Sequence, residues 1–444
     1  MSVVTIQVGQ CGNQVGYDWY TRLGREVCSE ALEKHMHKKH SYIRESFERW
    51  FNSVDDEQRI FARAVLIDTE QKVINSVFKK ASRQMWQYNP ASVVCRKDGG
   101  SGNNWALGFC ERGPEMQEAV LNSVRKEVEA CDRLCTFHNL LSCAGGTGSG
   151  LGSRIIADLR DEYQSKFNIN SLVFPYNGGE IITQNYNLIF TLSEIYDVSD
   201  VNIVFQNDDL HKTCTNLYGN SNVDLHDLNS LISVKLLSCL QPVYSRSRNY
   251  LPSLISAMSP HPCYKLVSVK SAPHTIPENP IQDTSVSWNA LLKYMMRSLY
   301  LYAPKGDVYD LKSRDTKYSS VCPKYLKSIA NVLITRGGKN IPSTNMKDFC
   351  NKDLYPDWIP VASGFQHFHQ EEKLLDYNKF VSLISNNSSV YECLNIVVEK
   401  AWTQFAQKAY LHQFTKHGLE ENDIAEAFVK IENILTNYKH LSAI

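Results

Sequence analysis

The chain has 444 residues, 43% of them hydrophobic, and its 47 basic residues balance its 47 acidic ones. This balance excludes general electrostatic steering towards nucleic acid or an anionic membrane, and no uninterrupted apolar run is long enough to span a bilayer. The opening residues, Met1 to Ile6, lack the basic leader and long apolar region of a signal peptide. The 13 cysteines form no CxxC pair, which argues against a zinc site or a disulfide framework and favours the cytosol or the nucleus.

The chain opens on a strand that leads into a glycine-containing loop. Val3 to Val8 alternates like a strand, GQCGNQ follows at 9–14, and Val15, Trp19 and Leu23 then recur at helical spacing. We call residues 9–14 the amino-terminal loop. Open α/β sheets bind ligands at the carboxyl ends of their strands, so the amide side chains of this loop are placed to donate hydrogen bonds to one.

A second strand, Ala62 to Asp68, ends in the acidic loop Asp68-Thr69-Glu70. Two interpretations fit this loop equally well. The carboxylates hold a hydrated Mg²⁺ beside a phosphate, or Asp68 or Thr69 caps the helix that begins near Gln71.

Two more glycine-rich loops follow. GGSGNNW at 99–105, the amide loop, ends in two asparagines and precedes a helix that Pro114 opens. The glycine loop, Ser142 to Gly150, contains AGGTGSG and lies between an apolar strand, Phe137 to Leu141, and a helix with apolar residues at helical spacing. Bare backbone N–H groups at a helix amino terminus favour phosphate.

The glycine loop does not match two familiar phosphate-binding motifs. A P-loop requires lysine where this chain has Leu151, and a dinucleotide fingerprint requires glycine at Leu151 or Ser153. The loop therefore binds phosphate without a lysine of its own. The alternative interpretation is a glycine-rich connection with no ligand.

Further strands and helices alternate along the chain and predict a doubly wound, mostly parallel α/β sheet. We expect a nucleotide-binding domain at 1–207 and a second α/β domain at 208–385, joined by a core helix at about 225–241. A helical region at 386–444 completes the chain.

These motifs resemble the tubulin family over the whole chain. GQCGNQ resembles the family's first nucleotide loop and AGGTGSG its signature phosphate loop, with Ala144 replacing the usual first glycine. The resemblance implies that GTP or GDP binds with Mg²⁺, the metal lying near Gln10, Asp68 and Glu70. The residues implied in nucleotide binding are Gln10, Cys11, Gln14, Asn103, Ser142, Ala144, Gly145, Gly146, Thr147, Gly148, Ser149, Gly150, Gln184, Asn207, Leu225 and Asn229.

Two of these positions depart from the family pattern. Leu225 stands where the family usually places an aromatic ring against guanine, and Gln184 aligns with its ribose-contacting glutamate. A neutral amide accepts a hydroxyl hydrogen bond less strongly than a carboxylate. Both changes predict altered affinity or a looser preference for guanine.

Within the family, the segments 101–109, 206–212 and 401–421 look most like the delta-tubulin subfamily, and residues 436–444 hold no acidic residue. The resemblance implies a structural protein that acts in making or stabilising the triplet microtubules of centrioles and basal bodies, and hence in cilium formation. It implies other tubulins, through longitudinal or lateral contacts, and centriolar proteins as partners, with neither nucleic acid nor membrane. The implied location is the cytoplasmic cytoskeleton, the centriole or basal body, and the nucleus.

The resemblance also bears on hydrolysis. The position aligned with the interface acid of α-tubulin lies near Ser253, and the segment Arg246 to Ser259 holds no Asp or Glu. We therefore expect that this chain does not activate hydrolysis in a subunit stacked on that face, because serine does not orient water as a carboxylate does. Hydrolysis of its own GTP would depend on a partner subunit. The alternatives are an autonomous GTPase, a divergent microtubule subunit and a nucleotide-free scaffold.

Overall fold

The computed structural model describes residues 1–31, 40–54, 59–96, 99–179, 181–218, 222–243, 250–274, 286–301, 324–338, 341 and 344–443. Residues 246–249 of the segment discussed above lie outside this part of the chain. The described residues group into two compact units. The first comprises Met1–Gln206 and Glu392–Thr436, and the second comprises Asn207–Tyr391 and Asn437–Ile444.

Six parallel strands form the sheet of the first unit. Their spatial order is β8-β7-β6-β1-β4-β5. A separate antiparallel pair, β2 and β3, belongs to the same unit. The strands are β1 (Ser2–Val8), β2 (Phe51–Val54), β3 (Arg59–Ala62), β4 (Ala64–Asp68), β5 (Val93–Cys95), β6 (Leu134–Ser142), β7 (Phe167–Phe174) and β8 (Val201–Gln206).

The strand order creates a switch point between β1 and β6. The chain starts at β1, runs outward through β4 and β5, and then returns to the other side of β1 through β6, β7 and β8. In such sheets the ligand crevice lies beyond the carboxyl ends of the strands at the switch point. The residues that follow β1 and β6 are the amino-terminal loop and the glycine loop.

The interior of this sheet carries a row of buried amides. Asn139 on β6 donates to Asn170 on β7 at 2.7 Å, and Asn170 donates to Asn202 on β8 at 2.8 Å. Asn202 in turn donates to Ser199 at 2.8 Å. All three asparagines are buried, so the amide groups of the ladder donate to one another and to Ser199 instead of to water.

Helices connect the parallel strands. Two short π-helical turns, Leu107–Arg112 and Thr147–Leu151, lead into α4 and α5, and a 3₁₀ turn spans Pro90–Ser92. Helices α12 and α14 contribute residues to both units. The helices of the first unit and these two are α1 (Gly9–Ala31), α2 (His40–Trp50), α3 (Gln71–Ala81), α4 (Gly113–Glu129), α5 (Gly152–Glu162), α6 (Gln184–Val198), α12 (Ser389–Ala406), α13 (Leu411–Thr415) and α14 (Glu421–Ala443).

The second unit contains a mixed sheet. Strand β11 pairs with β10 in parallel, whereas β10 with β12 and β12 with β9 pair antiparallel. Two 3₁₀ turns occupy Thr344–Cys350 and Lys352–Leu354. The strands and helices are α7 (Asn207–Tyr218), α8 (Leu225–Leu240), α9 (Tyr250–Met258), β9 (Leu266–Ala272), α10 (Trp288–Arg297), β10 (Ser328–Arg336), α11 (Val361–Gly364), β11 (Phe365–Gln370) and β12 (Phe380–Asn387).

Helix α8 is the core helix of the second unit. Asp224 caps its amino terminus in a reciprocal capping box with Asp227. At its carboxyl end Arg336, which is 1% exposed, donates to the carbonyl oxygens of Ser238, Gln241 and Pro242 at 2.7–3.1 Å. A buried guanidinium thus satisfies carbonyl groups that the end of a helix leaves without partners.

The predicted α/β class with a mostly parallel sheet is confirmed. The predicted strands Val3 to Val8, Ala62 to Asp68 and Phe137 to Leu141 correspond to β1, β4 and β6, and the predicted core helix at about 225–241 corresponds to α8. The three-domain division stays a prediction, because the C-terminal helices share their residues between the two compact units. Among the described helices, none combines the length and the apolar character needed to cross a membrane.

Candidate functional site

The amino-terminal loop is the first turn of helix α1. Strand β1 ends at Val8 and α1 begins at Gly9, which has φ +71° and therefore makes the sharp junction without strain. A Cβ at Gly9 would lie 3.0 Å from the backbone nitrogen of Gly148, and one at Gly12 would overlap the carbonyl oxygen of Leu140. The loop that follows β1 therefore packs, backbone to backbone, on the end of β6 and on the glycine loop.

Three of the predicted ligand residues lie on this turn. Gln10 is exposed, whereas Cys11 and Gln14 are half-buried. Desolvation raises the pKa of the Cys11 thiol to about 12, so the thiol is neutral at physiological pH. Asn13, which is buried, donates to the carbonyl oxygens of Gly9 and Ile67 at 2.9 and 3.1 Å and so fixes the turn against β4.

The glycine loop needs glycine because neighbouring backbone approaches it from two sides. A Cβ at Gly146 would overlap the carbonyl oxygen of Ser101, and one at Gly150 would overlap that of Trp105. A Cβ at Gly148 would lie 2.8 Å from the carbonyl oxygen of Ser142. The amide loop and the end of β6 thus enclose the glycine loop, so a side chain at any of the three would displace main-chain atoms.

One rim of the glycine loop faces outward. Ser142, Ala144, Gly145 and Thr147 are partly exposed, whereas Gly146 and the residues from Gly148 to Gly150 are buried. Within the described residues, the backbone N–H groups of Gly145 and Gly146 donate to no protein acceptor. The loop continues into a π-turn and then α5, so the partial positive charge of a helix amino terminus adds to these donors. The arrangement suits an anion.

Two hydroxyl groups of the loop bond within the protein. The Ser142 hydroxyl accepts the N–H of Ala144 at 3.2 Å, and the Ser149 hydroxyl donates to the carbonyl oxygen of Gly145. These bonds stabilise the curved path of the loop. The contribution of Ser149 and Gly150 to ligand binding stays a prediction.

Three hydroxyl groups join the acidic, amide and glycine loops. Thr69 and Thr147 share a hydrogen bond of 2.7 Å, and Thr147 donates to Ser101 at 3.1 Å. Thr69 and Ser101 lie 3.5 Å apart. The three loops come from three different segments of the chain, so this hydroxyl cluster, Thr69, Ser101 and Thr147, fixes their relative positions.

Asn187 on α6 provides a second connection between loops. Its side-chain amide donates to the carbonyl oxygens of Asn103 and Ala144 at 2.9 and 2.7 Å, and its Oδ1 accepts the N–H of Trp105 at 3.0 Å. All three hydrogen bonds reach the backbone of the amide loop or the glycine loop. Asn187 is fully buried, so it holds both loops in place without contact with solvent.

The two asparagines of the amide loop differ in exposure and in hydrogen bonding. Asn103 adopts φ +52°, is exposed, and places its Oδ1 3.5 Å from where a Cβ of Gly145 would lie. Asn104 is buried, accepts the N–H of Leu107 at 3.2 Å and donates to the carbonyl oxygen of Gln413 at 2.8 Å. Asn103 is thus the amide available beside the glycine loop, and Asn104 holds the loop.

The acidic loop presents one carboxylate oxygen without a protein partner. Asp68 is 3% exposed; its Oδ1 accepts the N–H of Glu70 at 3.2 Å, while its Oδ2 is buried and makes no hydrogen bond. Burial raises the pKa of Asp68 to about 6. Glu70 lies against Gly100, where a Cβ would come within 2.6 Å of its Oε1. Helix α3 begins after Glu70, so Asp68 and Thr69 do not cap it.

This donor set fits a partly hydrated Mg²⁺. Within the described residues, no three His, Cys, Asp or Glu side chains are grouped closely enough to hold a metal by themselves. Mg²⁺ keeps several waters and commonly takes only one or two carboxylates together with ligand phosphates. Asp68 and Glu70 supply such carboxylates, and the orphaned Oδ2 of Asp68 is a buried acceptor that needs a partner.

The remaining predicted ligand residues lie further along the chain. Gln184, 5% exposed, begins α6, donates to the carbonyl oxygen of Tyr176 at 2.7 Å and packs on Gly179. Asn207 begins α7 and Leu225 begins α8, where its side chain is 56% exposed, and Asn229 follows one turn later. Those three belong to the second unit, and their contacts with a base stay predictions.

The sequence did not identify the roles of four residues that build the site, namely Asn13, Ser101, Asn187 and Thr69, the last of which was considered only as a helix cap. Each lies within or close to a motif already singled out, and each is a small polar residue in a segment between apolar ones. The spacing of these residues along the sequence does not show that their side chains meet across separate loops. The signal that would have identified them is the need of every buried polar group for a partner.

The sequence is similar to a known family and to several known proteins. Residues 2–215 match the family model described as Tubulin/FtsZ family, GTPase domain. The chain is 36% identical to the tubulin delta chain of Homo sapiens and to that of Canis lupus familiaris, over 99% of this chain and 100% of each relative. It is 27% identical to the tubulin gamma chain of Candida albicans, over 98% of this chain and 91% of that protein.

Proposed function

Because this chain belongs to the tubulin family, we propose that it is a guanine-nucleotide-binding cytoskeletal subunit that acts as delta-tubulins do. Its role is in assembling or stabilising the triplet microtubules of centrioles and basal bodies, and hence in forming cilia. One observation carries the nucleotide part of the proposal. Four loops meet at the switch point of the parallel sheet, and within the described residues the N–H groups of Gly145 and Gly146 have no protein acceptor.

The chain's own residues suggest how the nucleotide would be held. Its phosphates would accept hydrogen bonds from the N–H groups of Gly145 and Gly146, with Asn103 and Gln10 beside them. The loop has no lysine, so part of the phosphate charge would be neutralised by Mg²⁺ near Asp68, Glu70 and Gln10. When bound, the metal supplies positive charge at the phosphates.

Nucleotide content tests this proposal directly. The full-length protein would be purified in Mg²⁺, denatured, and its released nucleotide identified by chromatography. We expect close to one guanine nucleotide per chain. An empty site, or an adenine nucleotide at the same level, would overturn the proposal.

The metal is tested by the rate at which nucleotide leaves. We expect wild-type protein to lose its nucleotide faster in a chelator than in Mg²⁺, and Asp68→Asn to lose it at the fast rate in both. Asp357→Asn removes an exposed carboxylate in the second unit and serves as the control. Equal rates for the wild type with and without chelator would contradict the metal assignment.

The nucleotide acts as a structural element or as a switch for assembly, and hydrolysis depends on a partner subunit. This part of the proposal predicts negligible steady GTP hydrolysis by the isolated chain. Sustained turnover by the monomer would favour the autonomous GTPase instead. Incorporation along the whole length of ordinary microtubules would favour a divergent lattice subunit.

The cellular role is tested by depletion and imaging. In ciliated cells that lack the protein, electron microscopy should show centrioles with doublet or singlet microtubules in place of triplets, and tagged protein should restore them. A Gly146→Ala form that folds but carries no nucleotide should fail to restore triplets. Normal triplets after complete depletion would refute this role.

A further inference from the structure

Helix α3 and the turn after it carry a stripe of unpaired positive charge. Lys72, Lys79, Lys80 and Arg83 are all exposed. Residues seven or eight apart lie on one helical face, so Lys72 is in line with Lys79 and Lys80, and Arg83 follows in the turn after the helix. We call these four residues the basic stripe.

The segment that carries the basic stripe is free of acidic residues in its sequence. From Gln71 to Lys97 the chain has six basic residues and no acidic one, whereas its 47 acidic residues in 444 would place about three there. Of the other two basic residues, Arg96 pairs with Glu115 at 2.7 Å. Within the described residues, no ion pair includes a member of the stripe.

One member of the stripe packs on an aromatic ring. The ammonium group of Lys80 lies 5.7 Å from the centre of the Tyr17 ring, which restrains this side chain. Met85, two residues after Arg83 in the chain, is an apolar side chain that is 50% exposed. A charged row that ends in an apolar side chain resembles the polar rim and apolar anchor of a small protein interface.

We propose that the basic stripe binds an acidic segment of a partner protein. From Lys72 to Lys80 the helix rises about 12 Å, which an extended peptide covers with about four residues, and Arg83 lies in the turn beyond. Several carboxylates in such a segment would each meet one cation, and the pairing would steer association more than it would add affinity.

The observations favour a peptide over a nucleic acid or a membrane. The whole chain has no net charge, so bulk charge does not draw it towards nucleic acid or an anionic membrane. Gln71 and Asn75, which lie beside the row on the same helix, are exposed and uncharged. A duplex or a bilayer would cover this wider neutral area, whereas an extended peptide needs only the row.

The test uses a fluorescein-labelled hexaglutamate peptide and full-length protein, with binding followed by fluorescence polarisation. We expect the charge-reversal variant Lys72→Glu, Lys79→Glu, Lys80→Glu, Arg83→Glu to weaken binding at least tenfold. The control variant Lys352→Glu, Lys373→Glu, Lys416→Glu, Lys439→Glu changes the net charge equally at scattered exposed positions, and it should weaken binding less than threefold.

A neutral variant with glutamine at the same four stripe positions should also weaken binding, and it keeps the proposal testable if charge reversal prevents folding. Equal weakening by the stripe and control variants would overturn the proposal. So would stripe-dependent binding of single-stranded RNA or phosphatidylserine vesicles without binding of the peptide. Bound nucleotide, measured in the same samples, distinguishes failure of this proposal from failure of the nucleotide proposal.

Discussion

The glycine loop of the first unit and the carboxyl end of helix α8 in the second unit treat backbone polar groups in opposite ways. At α8, the buried guanidinium of Arg336 donates hydrogen bonds to the carbonyl oxygens of Ser238, Gln241 and Pro242. At the glycine loop, the N–H groups of Gly145 and Gly146 donate to no described protein acceptor. The first arrangement is complete without a ligand, whereas the second requires water or a ligand.

The comparison predicts different costs for mutations in the two regions. Loss of the Arg336 side chain at the end of α8 should lower stability, because the carbonyl groups that lose its hydrogen bonds stay buried. Changes at the glycine loop should act mainly on ligand retention. The following predictions begin with the largest expected effect.

Arg336→Ala should destabilise the protein most, by about 4 kcal/mol, since it leaves three buried carbonyl groups without their charged donor. Denaturant unfolding followed by circular dichroism measures the loss. Arg125→Ala removes a half-exposed arginine and should cost less than about 0.5 kcal/mol. If the two variants are equally stable, Arg336 does not hold the end of α8.

Gly146→Ala should remove most of the bound nucleotide and cost about 1–3 kcal/mol, because the new Cβ overlaps the carbonyl oxygen of Ser101. Gly178→Ala is the matched control, since no heavy atom lies within 4 Å of its added Cβ. Nucleotide per chain and the unfolding midpoint should both stay unchanged for the control. Full nucleotide occupancy in Gly146→Ala would show that the loop tolerates displacement.

Thr147→Val should cost about 1–2 kcal/mol, because it removes the central hydroxyl of the cluster and leaves those of Thr69 and Ser101 without it. Nucleotide should also dissociate faster, because the loops are no longer fixed to one another. A double-mutant cycle with Thr69→Val measures the coupling. Additive effects would mean that the 2.7 Å contact contributes nothing.

The smallest effect concerns pH. His138, buried on β6, has its pKa lowered by burial to about 3, from an ordinary value near 6.5. As the pH falls, His138 is therefore protonated in the unfolded chain before it is protonated in the folded protein. The contribution of neutral, buried His138 to the free energy of unfolding is complete above pH 6.5 and declines as the pH falls towards 3. Between pH 7 and pH 6 the loss is about 0.7 kcal/mol. His138→Gln should flatten this slope, and an unchanged slope would assign it to other groups.

The sequence predicted those parts of the site that glycine and charge mark locally. Four glycines in seven residues marked the glycine loop, and the strand pattern before it predicted its position at the end of β6. It did not predict Arg336, because a charged residue before two glycines resembles an exposed strand end. Its burial depends on α8, which lies about a hundred residues away in the chain.

The hydroxyl cluster and Asn187 were also beyond prediction from sequence. Thr69, Ser101 and Thr147 lie on separate segments, and single hydroxyl residues in polar loops carry no periodic signal. Their meeting follows from the strand order, which brings the ends of β4 and β6 to either side of β1. Side-chain contacts that depend on the strand order can be identified only when the order of the strands in the sheet is known.

The amide ladder of Asn139, Asn170 and Asn202 bears on how the sheet finds its alignment. These residues occupy matched positions on three adjacent parallel strands. A slip of one residue between neighbouring strands would turn one amide to the opposite face and leave both partners buried and unpaired. Apolar strands tolerate many alignments almost equally, whereas this polar row penalises all but one. The ladder therefore favours one register of β6, β7 and β8. The register in turn determines where the strands end and their loops begin.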